Sequence, residues 1–552
     1  MRLQGAFFGA LFGFALTCGL AFSTQAEVAA GEEPESPVLK APAVAAGESG
    51  PARFAGVFYR AFDAEAAMEG ARFVDRYYRA PGNEGYNATL DKLRRKLGAA
   101  GFGEQEGFGL REIESDLRGK AWTPRSASLE LLATDGTVEK LHGFSSPEGR
   151  DRVMLPINAP SADLEGPVAF DLDGLSAGAV LVTEGDLNGR VLRAARKRGA
   201  ALVLSSSLND FGVDPRGQDE HLDAILFCAV SAQVGIPVGK ISPRTHKRIV
   251  ARASAGAPPR VRFRAKVSWS EGPLRTLVAT IVGASKPEEA VATAAHVQEP
   301  GAGDNASGVA GLAQGACTLA ELIQAGELHR PARSIVFIWG DEMRQSAIWL
   351  EDTKLQPVAG ISADMLGQSF AETGSICLLE RSPDPGSLDT LAPDQHTPWG
   401  AGQVREEHII PNGLALIART AMADVGLVVG GWQTFENPWE GGSDHDVFLG
   451  RGVPAILIWH FTDFTYHTGL DRMARLDGEE LRRTTTVVFA TALAVADLRQ
   501  GDLERYFASC KLEEEMRSGV ALAAERPDVA ERWRTWSLGA AEWLRKMCVD
   551  CD

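Results

Sequence analysis

Four strand-like runs in this chain each reach a residue type that binds metals at or soon after their carboxyl end. No other feature constrains the fold as tightly. Residues 290–295 run into His296, 334–339 into Gly340-Asp341-Glu342, and 358–363 into Asp364. Residues 453–459 are followed by a short stretch that ends at Tyr466-His467. Apolar runs of this length, alternating with helix-like segments, read as buried parallel strands. In open α/β sheets the ligand crevice lies outside the carboxyl ends of the strands. The expected fold class is therefore α/β, with two histidines and several carboxylates gathered at one edge of the sheet. Such a set suits zinc and the activation of water.

A chain of 552 residues exceeds one compact domain, so two or three are expected. The formal net charge of −17 argues against a nucleic-acid partner. Near the N-terminus, Arg2 precedes an apolar run over 6–22, and Ser23-Thr24-Gln25-Ala26 offers a small-residue cleavage site. This reads as a secretory signal peptide over 1–26. It predicts an exported chain, periplasmic or extracellular, with no membrane span once mature. Cys18 would leave with the signal. The six remaining cysteines are scattered, and Cys548-x-x-Cys551 reads as a local disulfide in an exported protein.

Residues 27–50, rich in Ala, Glu, Pro and Gly, read as a disordered linker. Helical spacing covers 64–78 and 87–97. Short β-like runs and single helices then fill 131–267, which reads as a small β-rich insert. The α/β texture returns near Arg275 and continues to about Arg499. The stretch 501–552 reads as a helical extension, with Trp533, Trp536 and Trp543 spaced along one face. The main domain is thus 51–130 joined to 268–500. Its oligomeric state is not readable from the sequence.

His296 ends its run, and Asp304 follows in Gly303-Asp-Asn-Ala-Ser-Gly308, a loop that opens an Ala/Leu-rich helix over 309–328. Asp304 alone would suit a helix cap, but a cap does not require a histidine at a strand end nearby. Asp341 and Glu342 sit where their run stops, so one acid can face a metal and the other its water. Asp471 follows His467 closely and suits a supporting role for that loop. Ser443, Asp444 and His445 are consecutive and cannot converge as a hydrolytic triad must. No H-E-x-x-H helix occurs.

Together these segments resemble the co-catalytic zinc exopeptidases of the bacterial aminopeptidase, glutamate carboxypeptidase and transferrin-receptor-like group. The matching motifs are Ala-Ala-His296, Gly-Asp304-Asn-Ala-Ser-Gly308, Trp-Gly-Asp341-Glu342, Ala-Asp364, Gly-Ser-Asp444-His-Asp-Val-Phe448 and Tyr-His467-Thr, in that order. The resemblance implies a zinc-exopeptidase sandwich with a mostly parallel central sheet flanked by helices, and a protease-associated-like insert. It further implies two zinc ions, one on His296 and Asp364 and one on Glu342 and His467, with Asp304 bridging. Asp341 would stand as general base and Tyr466 as oxyanion donor. The expected partner is a peptide substrate, attacked at its N-terminus by activated water.

Two positions depart from that pattern. Gln298 stands where the group carries an aspartate that orients the first histidine. Asp341 stands where it carries a glutamate, a side chain roughly 1.5 Å longer. Two other readings therefore remain open: a weak or inactive peptidase-like binding module, and a glutaminyl-cyclase-like enzyme.

Overall fold

The computed structural model describes residues 49–133, 136–146, 148–254 and 259–551. The expected signal peptide and nearly all of the 27–50 linker lie outside these residues.

The four apolar runs form the parallel heart of an eight-stranded mixed sheet. Arg333–Gly340, Lys286–His296, Gln356–Ala363 and Ala455–Phe461 lie side by side in that order, each parallel to its neighbour. The register sets His296 opposite Gly340, Ala294 opposite Ser362 and Ala363 opposite Ile458. The four chains therefore finish level with one another, and the residues that follow meet at a single edge. Antiparallel strands Leu274–Ile281 and Phe108–Ser115 extend one side of the sheet. Ile376–Glu380, antiparallel to Ala455–Phe461, extends the other and carries Thr434–Asn437.

The absence of polar alternation in these strands follows from their burial on both faces. Ile335, Phe337 and Trp339 join the large core on one face, with Phe489 and the helix Ala306–Gln324. Val336 and Ile338 join Trp349 and Phe448 on the other. The helix Ala306–Gln324 is long and apolar enough to cross a membrane. It is the only such helix among the described residues, and it lies inside the core instead. Gly478–Ala496 packs along it.

A second, seven-stranded sheet is built from strands between Ala121 and Ser270, in the order Val138–Phe144, Ala121–Leu132, Arg260–Ser270, Ala162–Ala169, Val180–Thr183, Leu202–Ser205 and Val238–Lys240. The expected insert boundaries at 131 and 267 fall inside Ala121–Leu132 and Arg260–Ser270. After the main sheet, helices Gln500–Ala523 and Pro527–Met547 pack against each other. Trp533 and Trp536 are buried, and Arg517 lies 4.4 Å from the Trp533 ring centre. Cys548 and Cys551 are joined by a disulfide.

The helix that follows the Asp304 loop is seated by glycine. A β-carbon at Gly315 would meet Phe489 Cε2 at 2.1 Å, an approach that only glycine permits. Overpacking of this kind typically costs about 1–3 kcal/mol. Gly315→Ala is accordingly expected to lower the denaturant midpoint of unfolding. An unchanged midpoint would show that the two helices are not in this contact.

Candidate metal centre

His296 is the last residue of its strand, and its Nε2 lies 3.2 Å from Asp364 Oδ1 and 3.2 Å from Asp304 Oδ1. Glu342 Oε1 is farther from the same nitrogen, at 3.8 Å. The other ring nitrogen, Nδ1, donates to the backbone carbonyl of Gln298 at 3.1 Å, which fixes the ring plane. His467 Nε2 stands 3.1 Å from Asp304 Oδ2 and 2.9 Å from Glu299 Oε2. Asp304 therefore shows one oxygen to each imidazole. His296, Asp304 and Asp364 converge as one group of donors, and Glu299, Asp304 and His467 as a second.

The electrostatics are those of a site short of positive charge. Burial disfavours the imidazolium form, yet the surrounding carboxylates outweigh it and hold both His296 and His467 well above the ordinary imidazole range. Burial alone would raise the Asp304 carboxyl, but the two imidazoles outweigh it and hold that group well below the usual range. Glu299 is pushed up to about 7 by burial and then by the Asp304 charge. Burial likewise pushes Glu342 far up. Asp304 Oδ1 and Glu299 Oε2 are buried and accept no well-formed hydrogen bond, although each lies close to an imidazole. Lone pairs of this kind are costly unless a cation takes them.

A surrounding layer of polar contacts sets these positions. Asp471 accepts from the backbone N–H of Gly303 at 2.6 Å and of Asp304 at 2.9 Å, moulding the Asp304 loop. The helix cap that Asp304 could have supplied is made by Asn305, which accepts from Gly308 N at 2.9 Å and donates to Ala363 O at 3.2 Å. This leaves both Asp304 oxygens free to face the histidines. Ser443 Oγ donates to Asp364 Oδ2 at 3.0 Å. Asp444 accepts from Met343 N, Gln345 Nε2 and Ser346 Oγ, pinning the turn after Glu342. His445 pairs with Glu380 at 2.9 Å. The three consecutive residues thus point to three different partners.

Gln298 does not orient His296 through its side chain. Its Oε1 accepts from Glu342 N at 2.7 Å and its Nε2 donates to Glu342 Oε2 at 3.2 Å, so it positions Glu342. Glu342 stays on the His296 side of the cluster, and the carboxylate that faces His467 is Glu299. Asp341 is buried beside the cluster with its carboxylate 3.2 Å from Arg344 Nη1. Burial pushes Asp341 up to about 6, with Arg344 pulling the other way. The Tyr466 ring lies flat against His467, centres 3.9 Å apart, and edge-on to Trp399. Trp432 donates to Glu480 and Trp439 to Asp446.

The segment between strands Leu202–Ser205 and Val238–Lys240 of the second sheet also reaches this loop. Phe227 N donates to His467 O at 2.6 Å, and Gly469 N donates to Ile225 O at 3.0 Å. The Phe227 ring meets the His467 ring edge-on at 5.6 Å.

Asp471→Ala would leave two buried N–H groups unpaired, at about 1–3 kcal/mol each. The expected outcome is a clear fall in unfolding free energy, read by denaturant titration. A variant as stable as the parent would show that Asp471 does not hold the loop.

Residues 276–343 match the model of peptidase family M28. No curated protein sequence gives a significant match. Among solved structures, a peptidase M28 precursor from Shewanella amazonensis aligns with a TM-score of 0.54 at 17% identity, covering 80% of this chain and 95% of that one. BSAP, a zinc aminopeptidase from Bacillus subtilis, aligns with a TM-score of 0.50 at 15% identity, covering 80% and 96%. At these identities the structural likeness establishes the fold alone: the main sheet with its flanking helices is that of these two proteins. The family match falls on the strand of His296, the Asp304 loop and the Asp341-Glu342 turn.

Proposed function

We propose that this chain is an exported, zinc-dependent aminopeptidase that removes N-terminal residues from peptides. The observation that carries the reading is Asp304, buried between two imidazoles that are each backed by further carboxylates at the ends of parallel strands. The donors are nitrogen and oxygen only, a set that zinc accepts. Asp304 Oδ1 and Glu299 Oε2, buried without a well-formed hydrogen bond, are what a cation would satisfy. His296, Asp304 and Asp364 would hold one ion, and His467 and Asp304 the other. Zinc bound there supplies Lewis acidity and an activated water. Export rests on the signal-like 1–26 segment of the sequence.

The chain's own groups can be given roles beside that chemistry. Asp341 is a buried carboxyl at the cluster's rim, placed to take a proton from the attacking water and pass it to the leaving amine. Arg344 favours its ionised form. Tyr466, held flat on His467, can offer its hydroxyl to the developing oxyanion.

Chelation is expected to abolish release of an amino acid from an unblocked peptide, with recovery on adding zinc. Asp304→Ala is expected to lose both metal and activity. Asp341→Asn is expected to lower kcat by about 10²–10⁴, the usual size of a general-base contribution. A fully active Asp304→Ala would contradict the reading, and undiminished activity of Asp341→Asn would remove Asp341 from the mechanism.

A further inference from the structure

We infer that Glu299 is a metal ligand of this centre, holding the second cation together with His467 and Asp304. The inference rests on the zinc reading above and changes its ligand set. By resemblance the second ion would sit on Glu342 and His467. In the structure Glu342 is on the other side, beside His296 and held there by two hydrogen bonds with Gln298.

Three observations support the assignment. First, the distances suit a shared ion. Donors that each lie about 2.0–2.2 Å from a zinc stand roughly 3.3–3.6 Å apart in a tetrahedral shell. His467 Nε2 is 2.9 Å from Glu299 Oε2 and 3.1 Å from Asp304 Oδ2, a triangle that a cation at its centre would open slightly. Second, Glu299 Oε2 is buried with no well-formed hydrogen bond, as is the Asp304 Oδ1 that faces the other group. A carboxylate present only to pair with a histidine would be expected to complete a hydrogen bond.

Third, the backbone is made to present this side chain. Glu299 has φ of +87°, a conformation that non-glycine residues seldom adopt. Two buried arginines hold the segment around it. Arg79 donates to the carbonyls of Val297 at 2.9 Å and Gly301 at 2.7 Å, and its own carbonyl accepts from Glu299 N at 2.8 Å. Arg152 donates to the Pro300 carbonyl. An uncommon backbone geometry fixed from both sides is the pattern found at functional positions. Its effect here is to turn the Glu299 carboxylate toward His467.

The sequence around it shows the same exchange. The first histidine is followed by Val297-Gln298-Glu299, so an acid stands one residue beyond the position where the resembling group carries aspartate. Gln298 has become the support for Glu342, and Glu299 the acid that faces the second histidine.

The test is zinc titration of exhaustively dialysed full-length protein by calorimetry, in the parent, Glu299→Gln and Glu299→Ala. The parent is expected to bind two equivalents. Both variants are expected to keep the first and to bind the second at least ten-fold more weakly. Cobalt(II) substitution gives an independent readout, with the visible absorption of the second equivalent reduced or lost in the variants. Thermal unfolding without metal confirms that each variant is folded, and either folded variant decides. If the parent binds two equivalents and the variants bind both as tightly, with the same cobalt spectrum, Glu299 is not a ligand and the two-zinc reading stands without it. If the parent binds none, both readings fall.

Discussion

The structure turns on an electrostatic problem at the ends of its parallel strands. Glu299, Asp304, Glu342 and Asp364 lie around two imidazoles in a largely buried cluster. Carboxylates this close repel one another, and burial removes the water that would screen them. Without a cation the balance is struck with protons: the imidazoles are held charged, and Glu299 and Glu342 are pushed toward their neutral forms. A pair of divalent cations would replace those protons and let every carboxylate ionise. Binding metal is therefore the arrangement in which this core has least unresolved charge.

Much of the remaining chain can be understood as holding that cluster in place. The level finish of the four strands comes from register, and register comes from side chains packed on both faces of the sheet. Asn305 caps the following helix so that Asp304 does not have to. Asp471, 168 residues beyond Gly303 in the chain, gathers the Gly303 and Asp304 amides, and Ser443 steadies Asp364. The contacts of Phe227 and Ile225 with the His467 loop add a support from the segment between the last two strands of the second sheet. That segment is therefore part of how the second histidine is presented.

The strand cores and the residues at their ends were legible in the sequence because long apolar runs are the direct signature of two-sided burial. His296, Asp364 and the Asp341-Glu342 turn follow from where such runs stop. Phe108–Ser115 was not legible: it lies at the sheet edge, half exposed, and its Arg-Glu-Ile-Glu core carries no apolar run. The strand Ala121–Leu132 begins ahead of the expected insert boundary at 131, and a register shift between Pro124 and Ser126 breaks its alternation. Glu299 was missed for a different reason. Its direction is set by a positive φ and by Arg79 and Arg152, residues 220 and 147 positions away, and no local pattern encodes that. At Gln298 the backbone carbonyl accepts from the His296 ring while the side chain serves Glu342.

The central claim is that two cations flank Asp304, and the most direct measurement is anomalous diffraction at the zinc edge from crystals grown with zinc. The account predicts two peaks about 3.5–4 Å apart, one beside His296 and Asp364 and the other beside His467, with Asp304 between them. A cluster with no anomalous peak, or with a single peak that leaves His467 without metal, would contradict it.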